Sequence, residues 1–503
     1  MNRPFNLGDL VDHARDPGKT ALIDVGGAGE GAERTYTFRE LDAMSKAVAR
    51  GLLGRGLVRG DRVAILSANR AEYLFAYFGA MQAGLVAVPV NFKFPAATLE
   101  HILRDCDARL VFCDAPRRHA CPSGVPIVEF GAAGPAGFDA LLDRGPFDVV
   151  RPVHDEPAMF LYTSGSTGKP KGVVLSHASH CWVVEQRVAG RDWSDHRVLV
   201  AAPLYHMNGL AMSKFVVGAH ATIVLLPQFT ASSYIDAIGR HACTWLTSVP
   251  TMMALVAKER EQVARTDTAS VRIVRMGSAP VSDRLIDDVK AVFPKALVTN
   301  VYGTTEAGPV VFTAHPDGLP QPTMSVGYPH PAIELRLVAD GRAGVEQGVL
   351  EMRCPALMNG YHNLPDATRK AMTADGFYVT GDVFRRDADG FHYFVGRVDD
   401  MFVCGGENIY PGDVEKMLET HPDIEQACVV PVADEIKWQK PVAFVVLRRG
   451  AALSEQQVKT YALANAPAYQ HPRVVRFVAE LPLAGTNKID RKAVAAMAEG
   501  VRA

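Results

Sequence analysis

The stretch MFLYTSGSTGKPKGVVLSH, residues 159–177, places two apolar runs on either side of a loop rich in glycine and hydroxyl side chains. Apolar runs bounded by turn residues are typical of buried strands, so the stretch predicts a strand, a tight loop and a second strand. Glycines let backbone N–H groups approach an anion without a Cβ in the way, and hydroxyls and lysines can hold phosphate oxygens. The loop is therefore a candidate phosphate-binding site.

Two alternatives to this interpretation exist. A P-loop of the pattern G-x-x-x-x-G-K-[ST] needs a hydroxyl residue after the lysine and a helix after the loop. Here Pro170 follows Lys169, and the apolar run 173–175 predicts a strand, so the P-loop is excluded. A surface hairpin that binds no ligand stays open on these residues alone.

The composition is that of an ordinary globular protein. The chain has 503 residues, of which 48% are hydrophobic and 21% charged, and its formal net charge is −2. Such a length exceeds one hydrophobic core, so we expect roughly two to four subdomains. Because no long basic run is present, neither nucleic acid nor a membrane surface is an expected partner.

The N-terminus and the cysteines predict a cytoplasmic protein. No segment resembles a signal peptide, and no apolar window approaches the length of about 18 residues that would indicate an integral membrane segment. The eight cysteines are scattered without a C-x-x-C pair, which favours buried free thiols over disulfides or a zinc site.

Helical and strand patterns alternate early in the chain. Apolar residues recur at helical spacing over 36–53 and 71–83, and three short apolar runs between 63 and 112 predict strands. This alternation predicts a doubly wound α/β layer. Residues 116–150 are rich in Gly, Pro and Ala and are interpreted as a loop region.

A strand-like run at 296–301 ends in residues suited to nucleotide chemistry. Tyr302 offers a face on which a purine can stack, and Thr304 and Thr305 can hold phosphate oxygens. Glu306 is a hard oxygen ligand suited to Mg²⁺.

An aspartate and a histidine extend the set of candidates. Asp382 follows another strand-like run, and a carboxylate can accept hydrogen bonds from two adjacent ribose hydroxyls. His206 follows the run 198–202, where it can face a cleft. An ordinary turn aspartate and a structural histidine are the alternatives when each residue is considered alone.

Taken together and in this order, the motifs resemble those of the acyl-adenylate-forming enzymes, which include acyl-CoA synthetases, peptide-synthetase adenylation domains and luciferases. The resemblance extends from about residue 30 to residue 495. It implies an ATP-dependent carboxylate–CoA ligase that forms acyl-AMP, with ATP and CoA as co-substrates and Mg²⁺ as cofactor. The elements Arg397-Val398-Asp399-Asp400 and 405–409, with Asn487 before Lys488, are most similar to the chlorobenzoate–CoA ligase branch.

The resemblance also implies roles for individual residues. Lys488 is expected to act in the first half-reaction, together with His206 and with Glu306 as the metal ligand. The expected ATP contacts are Thr163, Ser164, Gly165, Ser166, Thr167, Gly168, Lys169, Lys171, Ser278, Ala279, Pro280, Tyr302, Gly303, Thr304, Thr305, Asp382, Arg397 and Lys488. The expected acyl pocket consists of His206, Met207, Asn208, Met252, Gly277, Ser278, Gly303 and Gly308, and the expected CoA contacts are Gly405, Gly406 and Trp438.

The implied fold is α/β in two domains. Residues 1–398 form a large AMP-binding domain of doubly wound α/β layers with a small β-rich subdomain, and residues 399–503 form a small, mobile α+β domain. The hinge is expected at Asp399, because a few residues at the end of an element can absorb the change in φ and ψ between two rigid domains. A homodimer is one assembly that we consider.

Three small-domain residues depart from the family pattern, namely Gln439, Lys440 and Gln470. They lie on the side expected to meet CoA, so the identity of the acyl acceptor is open. A carrier-protein thiol, a luciferase-like oxidation and a silent nucleotide-binding protein are the alternatives to a CoA ligase.

The expected acyl-pocket residues contain no lysine or arginine, and burying an unpaired second carboxylate would be costly. Methionines adapt to aromatic or branched contents. The sequence therefore predicts a small to medium monocarboxylic acid, aromatic or short aliphatic, and argues against a dicarboxylate such as malonate and against a long-chain fatty acid.

Overall fold

The computed structural model describes residues 5–26, 33–163, 169–279, 281–404, 407–434, 438–485 and 488–499, with the backbone alone for Asn408 and Trp438. Within these ranges, no helix combines the length and the apolar character that crossing a bilayer requires.

Strands and helices alternate through the first 301 residues, as the sequence pattern predicts. The elements are β1 (Thr20–Asp24), β2 (Arg34–Thr37), α1 (Phe38–Gly54), β3 (Arg62–Leu66), α2 (Ala71–Gln82), β4 (Val86–Pro89), α3 (Ala96–Asp105), β5 (Ala108–Asp114), a 3₁₀ helix (Ala115–Ala120), β6 (Ile127–Phe130), α4 (Phe138–Leu141), β7 (Pro157–Thr163), β8 (Lys171–Ser176), α5 (His177–Val188), β9 (Arg197–Val200), α6 (Met207–Gly218), β10 (Thr222–Leu225), α7 (Ala231–Arg240), β11 (Trp245–Ser248), α8 (Pro250–Lys258), α9 (Arg260–Arg265), β12 (Ile273–Gly277), α10 (Asp283–Val292) and β13 (Leu297–Val301).

The remainder of the chain is richer in strands. Its elements are β14 (Phe312–Thr313), β15 (Tyr328–Pro329), β16 (Glu334–Ala339), β17 (Arg342–Ala343), β18 (Gln347–Arg353), β19 (Gly360–Tyr361), α11 (Pro365–Ala371), β20 (Tyr378–Arg386), β21 (His392–Arg397), a 3₁₀ turn (Val398–Asp400), β22 (Phe402–Cys404), β23 (Glu407–Ile409), α12 (Pro411–Glu419), β24 (Ile424–Asp434), β25 (Trp438–Leu447), α13 (Glu455–Asn465), β26 (Val474–Phe477) and α14 (Arg491–Ala498).

Two seven-stranded sheets form the large α/β layers, with strand orders β13-β12-β11-β9-β10-β1-β2 and β19-β8-β7-β4-β3-β5-β6. Adjacent strands run parallel except at one edge of each sheet, where β2 in the first and β8 and β19 in the second are antiparallel. Helices connect the parallel strands, so the predicted doubly wound α/β fold is confirmed.

The core lies where helices pack on these sheets. Every residue of α2 is buried, as expected for a helix that is apolar on all sides and lies inside a large domain. Every residue of β4 is also buried, which is typical of a parallel strand covered on both faces.

The two smaller sheets hold the β-rich part and the C-terminal part of the chain. The order β17-β16-β18-β20-β21 forms an antiparallel sheet, and β23-β22-β25-β24, with β26 beside β25, forms a sheet built entirely from residues after 401. The predicted β-rich and α+β units are thus present, while the exact domain division at residue 399 stays a prediction.

Three parts of the fold differ from what the sequence pattern predicts. The segment interpreted as loop, 116–150, contains β6 and α4. The tail after Lys488 forms α14, and β1 and β2 precede the first predicted helix. These elements are short, and the segment 116–150 is rich in Gly and Pro, so local periodicity does not reveal them.

Candidate active site

A cleft of about 2060 Å³ lies at the carboxyl ends of β9, β11, β12 and β13. In open α/β sheets, ligand sites lie at this edge of the strands. Thr163 at the end of β7 and residues of the small domain complete its walls. Of the predicted residues, the cleft is lined by Thr163, His206, Met207, Asn208, Met252, Gly277, Ser278, Ala279, Tyr302, Gly303, Thr304, Thr305, Glu306, Asp382, Arg397, Asp399 and Lys488.

A tight turn carries Lys488 from the small domain into the cleft. The backbone N–H of Ala484 donates to the Lys488 carbonyl oxygen at 2.7 Å. The turn also contacts the large domain, because the hydroxyl of Tyr205 donates to the carbonyl oxygen of Gly485 at 3.4 Å. Lys488 was predicted as a site residue only from its position in the chain. In the structure it lines the same cleft as the predicted site residues Asp382 and Arg397.

Lys488 lies near Asp382 and Arg397, whose charges act on it in opposite directions. Burial lowers the pKa of Lys488, Asp382 opposes that shift, and Arg397 adds to it. An ammonium group in this position can interact with an anionic ligand in the cleft.

Asp382 lies within β20 rather than just past a strand. It is paired across the sheet with Arg397 of β21, whose Nη1 donates to Asp382 Oδ1 at 2.7 Å. The Tyr302 hydroxyl donates to the other carboxylate oxygen at 2.5 Å. The preceding residue, Gly381, has a φ of +71°. Residues that carry a side chain rarely adopt this backbone conformation, which suits glycine. Burial raises the pKa of the Asp382 carboxyl, while Arg397 favours its ionised form.

His206 occupies the N-cap position of α6 without a capping hydrogen bond from its side chain, and its imidazole is neutral. Burial lowers the pKa of His206 to about 3, and the positive charges of Lys488 and Lys93 add to the shift. Its Nε2 is buried and has no hydrogen-bond partner among the described residues. A neutral histidine in this position can donate or accept one hydrogen bond with a ligand without adding charge.

The amide of Asn208 is engaged by β11. Thr247 Oγ1 donates to Asn208 Oδ1 at 2.9 Å, and Asn208 Nδ2 donates to the Ser248 carbonyl oxygen at 3.4 Å. The side chain therefore fixes the first turn of α6 against β11, which leaves it less free for a substrate than the sequence suggested.

Glu306 is positioned from two sides. Its Oε1 accepts a hydrogen bond from the Tyr361 hydroxyl at 3.0 Å, and its backbone oxygen accepts one from the Met358 N–H at 2.7 Å. The Nζ of Lys171 lies 4.5 Å from the centroid of the Tyr361 ring. Mg²⁺ is commonly held by one or two carboxylates together with substrate phosphates, so a single cleft-lining glutamate fits a metal delivered with a triphosphate.

The other predicted residues fall into three groups. Gly308 does not border the cleft, since a Cβ there would meet Ala356 and Val183. Lys169 is exposed and Lys171 is half-buried, and neither borders the cleft. Ser164, Gly165, Ser166, Thr167, Gly168, Pro280, Gly405, Gly406 and the side chain of Trp438 lie outside the described residues.

Two arginines that sequence reasoning missed, Arg187 and Arg275, also line the cleft. Arg187 belongs to the last turn of α5, and Arg275 lies in the middle of β12. The acyl-pocket residues expected from the sequence contain no arginine or lysine, but these two arginines line the same cleft. The sequence signal for Arg275 was a charged residue inside an otherwise apolar strand. The sequence analysis relied on motifs at the ends of strands, and those motifs do not include this position.

Comparison with known proteins agrees with this geometry. A sequence model of AMP-binding enzymes matches residues 11–362, and one of the AMP-binding enzyme C-terminal domain matches residues 413–488. The chain belongs to the AMP-binding enzyme family. This AMP-binding enzyme is an AMP-forming acid–thiol ligase.

Relatives span nearly the whole chain. A sulfoacetate–CoA ligase from Cupriavidus necator is 32% identical over 475 residues, which cover 90% of this chain and 91% of that protein. A fatty acid–[acyl-carrier-protein] ligase from Streptomyces coeruleorubidus is 32% identical over 478 residues, covering 91% of each. The crystal structure of ATP-bound MatB from Rhodopseudomonas palustris superposes with a TM-score of 0.88, at 27% identity and with all of both chains covered.

Proposed function

We propose that this AMP-binding enzyme is an ATP-dependent ligase that joins a small to medium carboxylic acid to CoA. The observation that carries the proposal is the meeting of Lys488 with Asp382 and Arg397 in the cleft at the strand ends. In the first step, a carboxylate oxygen attacks the α-phosphorus of ATP, which gives acyl-AMP and pyrophosphate. In the second step, the CoA thiolate attacks the acyl carbonyl, which gives the thioester and AMP.

The first step brings an anionic nucleophile to a polyanionic triphosphate, so neutralisation of charge is its main demand. Lys488 is the mobile source of positive charge, because it reaches the cleft on a turn of the small domain. Neutral His206 can hydrogen-bond the substrate carboxylate or the forming acyl oxygen. Glu306 would hold a Mg²⁺ ion brought by ATP, and that ion would supply further charge neutralisation.

Nucleotide selection is assigned to the residues around Asp382. A carboxylate buried between Tyr302 and Arg397 keeps lone pairs for the two ribose hydroxyls. Tyr302, Ala279 and the backbone after β12 form the wall assigned to adenine.

The second step requires Lys488 to leave and CoA to enter, and we assign the rotation to Asp399. This residue lies in the 3₁₀ turn between β21 and β22, and its side chain is 63% exposed. Of the departures from the family pattern, Lys440 pairs with Asp434 at 3.4 Å. That lysine is therefore engaged within the small domain, which leaves CoA as the favoured acceptor.

A carrier-protein thiol is the second candidate acceptor, since a relative of this chain carries the name of a fatty acid–[acyl-carrier-protein] ligase. The monocarboxylate was predicted from the sequence because the expected acyl-pocket residues contain no cation, whereas Arg187 and Arg275 line the same cleft. The relative named for sulfoacetate acts on an acid with a second anionic group.

The test is acid-dependent pyrophosphate release with ATP and Mg²⁺, followed by addition of CoA or of a phosphopantetheinylated carrier protein. We expect release only with a carboxylic acid, and thioester formation with CoA. Thioester formation with the carrier protein alone would favour the second candidate. No acid-dependent pyrophosphate release would refute adenylation itself.

A further inference from the structure

Arg187 and Arg275 are partly buried side chains that line the cleft. Neither forms an ion pair within the described ranges of the chain. Other arginines of the chain are paired with carboxylates: Arg34 contacts Asp24 and Glu72, and Arg491 contacts Glu415. The cleft arginines are exceptions to this pattern.

The contacts of the two guanidinium groups supply no negative charge. Arg187 donates to the Ala211 carbonyl oxygen at a long 3.4 Å, faces the Met212 sulfur at 2.9 Å and lies 4.4 Å from the Phe215 ring centroid. Arg275 lies 6.0 Å from the ring centroid of Trp245. Aromatic faces offset part of the cost of desolvating a cation but leave its charge uncompensated.

A third basic group lies behind Arg187. Lys214 of α6 is completely buried, and its Nζ lies 3.2 Å from His180 Nδ1 and 3.9 Å from the sulfur of Met159. Burial lowers the pKa of Lys214 to about 7, and the charge of Arg187 contributes to that shift. Burial and the charge of Arg275 together lower the pKa of Arg187, and burial lowers the pKa of Arg275 to about 10. The positive charge at this end of the cleft therefore comes from the two arginines, since Lys214 does not line the cleft and is only partly protonated near pH 7.

Cations that are partly removed from water in this way are costly unless an anion accompanies them. Guanidinium groups match planar or trigonal oxyanions with two parallel hydrogen bonds, which makes carboxylate or sulfonate the natural complement. Both arginines line the same cleft as His206 and Lys488, where the reacting carboxylate is expected.

We infer that the substrate is a dianionic acid whose second carboxylate or sulfonate binds Arg187 and Arg275, while its first carboxylate is adenylated. This inference rests on the proposed ligase function and specifies its substrate class. It reverses the sequence-based preference for a monocarboxylate.

The direct test compares acids of matched length in pyrophosphate release: malonate with propionate, succinate with butyrate, glutarate with valerate, and 3-sulfopropionate with butyrate. We expect kcat/KM for at least one dianionic acid to exceed that of its matched monoanion by about 100-fold, as for a buried charge pair. The sulfopropionate comparison distinguishes a sulfonate from a carboxylate. Equal or better rates for every monoanion would overturn the inference and leave the ligase function standing.

Variants test the two arginines. Arg187→Met and Arg275→Met should each reduce kcat/KM for the dianionic acid by about 100-fold and that for the monoanion by only a few-fold. Arg272→Met is the matched control: this exposed arginine precedes β12 and pairs with Asp195 at 2.7 Å, so its loss should leave the preference unchanged. A preference that survives both cleft variants would also overturn the inference.

A binding measurement separates this inference from the proposed function. Dianionic acids at millimolar concentration should raise the Tm of the intact enzyme and not that of Arg187→Met. Without ligand, Arg187→Met should have a higher Tm than the natural protein, because an uncompensated buried charge is removed. If no acid supports pyrophosphate release but the Tm shifts occur, the ligase function fails and the anion site stands. If no dianion shifts the Tm, the anion site fails.

Discussion

Lys488 shows how a single side chain can link two half-reactions. Its ammonium group lies near Asp382 and Arg397, and the nearby Gly485 carbonyl oxygen accepts a hydrogen bond from the Tyr205 hydroxyl of the large domain. If the small domain rotates away, the positive charge of Lys488 is removed from the cleft. The first half-reaction should therefore depend on Lys488 and the second should not.

Lys488→Ala should reduce acid-dependent pyrophosphate release by about 10²–10³-fold, since a well-placed charge contact in the transition state is lost. Thioester formation from synthetic acyl-AMP and CoA should stay within a few-fold. Lys459→Ala, which removes a lysine paired with Glu455 on α13, serves as control. Equal losses in both half-reactions would contradict this role.

Lys214 predicts a pH-dependent effect on stability. Its pKa of about 7 in the folded protein lies below the ordinary lysine value of 10.5, so the unfolded chain binds more protons between these values. The cost of burying Lys214 is complete below pH 7 and decreases as the pH rises toward 10. Lys214→Met should therefore raise Tm by several degrees at pH 6.5 and by less at pH 9.5, measured by calorimetry with Lys459→Met as control. A constant Tm difference across this range would contradict the assigned burial.

At the residue scale, site residues near the ends of elements were easier to predict from the sequence than those inside elements. Tyr302, Glu306 and His206 are at or just beyond element ends, where short motifs carry the information. Arg275 lies in the middle of β12 and Arg187 in the last turn of α5, both outside the motifs recognised in the sequence, and only tertiary packing brings them to the same cleft.

At the scale of elements, the segment joining β21 to β22 is the expected pivot. The 3₁₀ turn Val398–Asp400 follows Arg397, so Arg397 can stay with Asp382 while everything after the turn moves. Such a pivot needs freedom in only a few backbone angles.

Asp399→Pro should stop the pivot, because proline fixes φ near −65°, a value that a 3₁₀ turn already uses. Acyl-AMP should then accumulate while thioester formation falls by at least about tenfold, as expected when a conformational step becomes limiting. Asp399→Ala is the matched control and should retain turnover. Normal thioester turnover in Asp399→Pro would locate the pivot elsewhere. Quenched-flow measurement of both products distinguishes the outcomes.

Long helices and strands with a clear apolar pattern were predicted well from the sequence. Short elements that are held in place by contacts with distant residues were predicted poorly. The position of α1 agrees with its apolar periodicity within about two residues, a usual uncertainty for helix ends. The tail helix α14 was missed because it is held by a tertiary contact, the pairing of Arg491 with Glu415 on α12. No periodicity within eight residues reveals such a partner.

At the scale of the whole molecule, a small number of polar contacts hold the two domains in the arrangement described. Lys258 pairs with Glu425 at 2.5 Å, Arg448 pairs with Asp288 at 3.8 Å, Arg284 donates to the Pro422 carbonyl oxygen at 3.1 Å, and Tyr205 contacts Gly485. Partly exposed ion pairs contribute little, typically about 0–1 kcal/mol. These polar contacts alone would therefore not prevent the domain rotation that we propose.

Lys258→Ala should thus have a modest effect, because it removes one weak interdomain link. We expect pyrophosphate release to fall by about twofold to fivefold, the range of one surface ion pair, and the loss to shrink at high salt. Arg104→Ala, which breaks an exposed pair with Glu100 inside the large domain, is the control. A loss above tenfold would mean that the domain interface is far stronger than these contacts indicate.

The two-residue strand β19 has a consequence for protein engineering. It pairs with β8 so that Gly360 lies opposite Val174 and Tyr361 opposite Val173, which delivers the Tyr361 hydroxyl to Glu306. A slip of one residue would send that phenol to the opposite face of the sheet. Homologous segments exchanged across this region must therefore conserve the length of chain between Glu306 and Tyr361, whereas their intervening side chains are freer to vary.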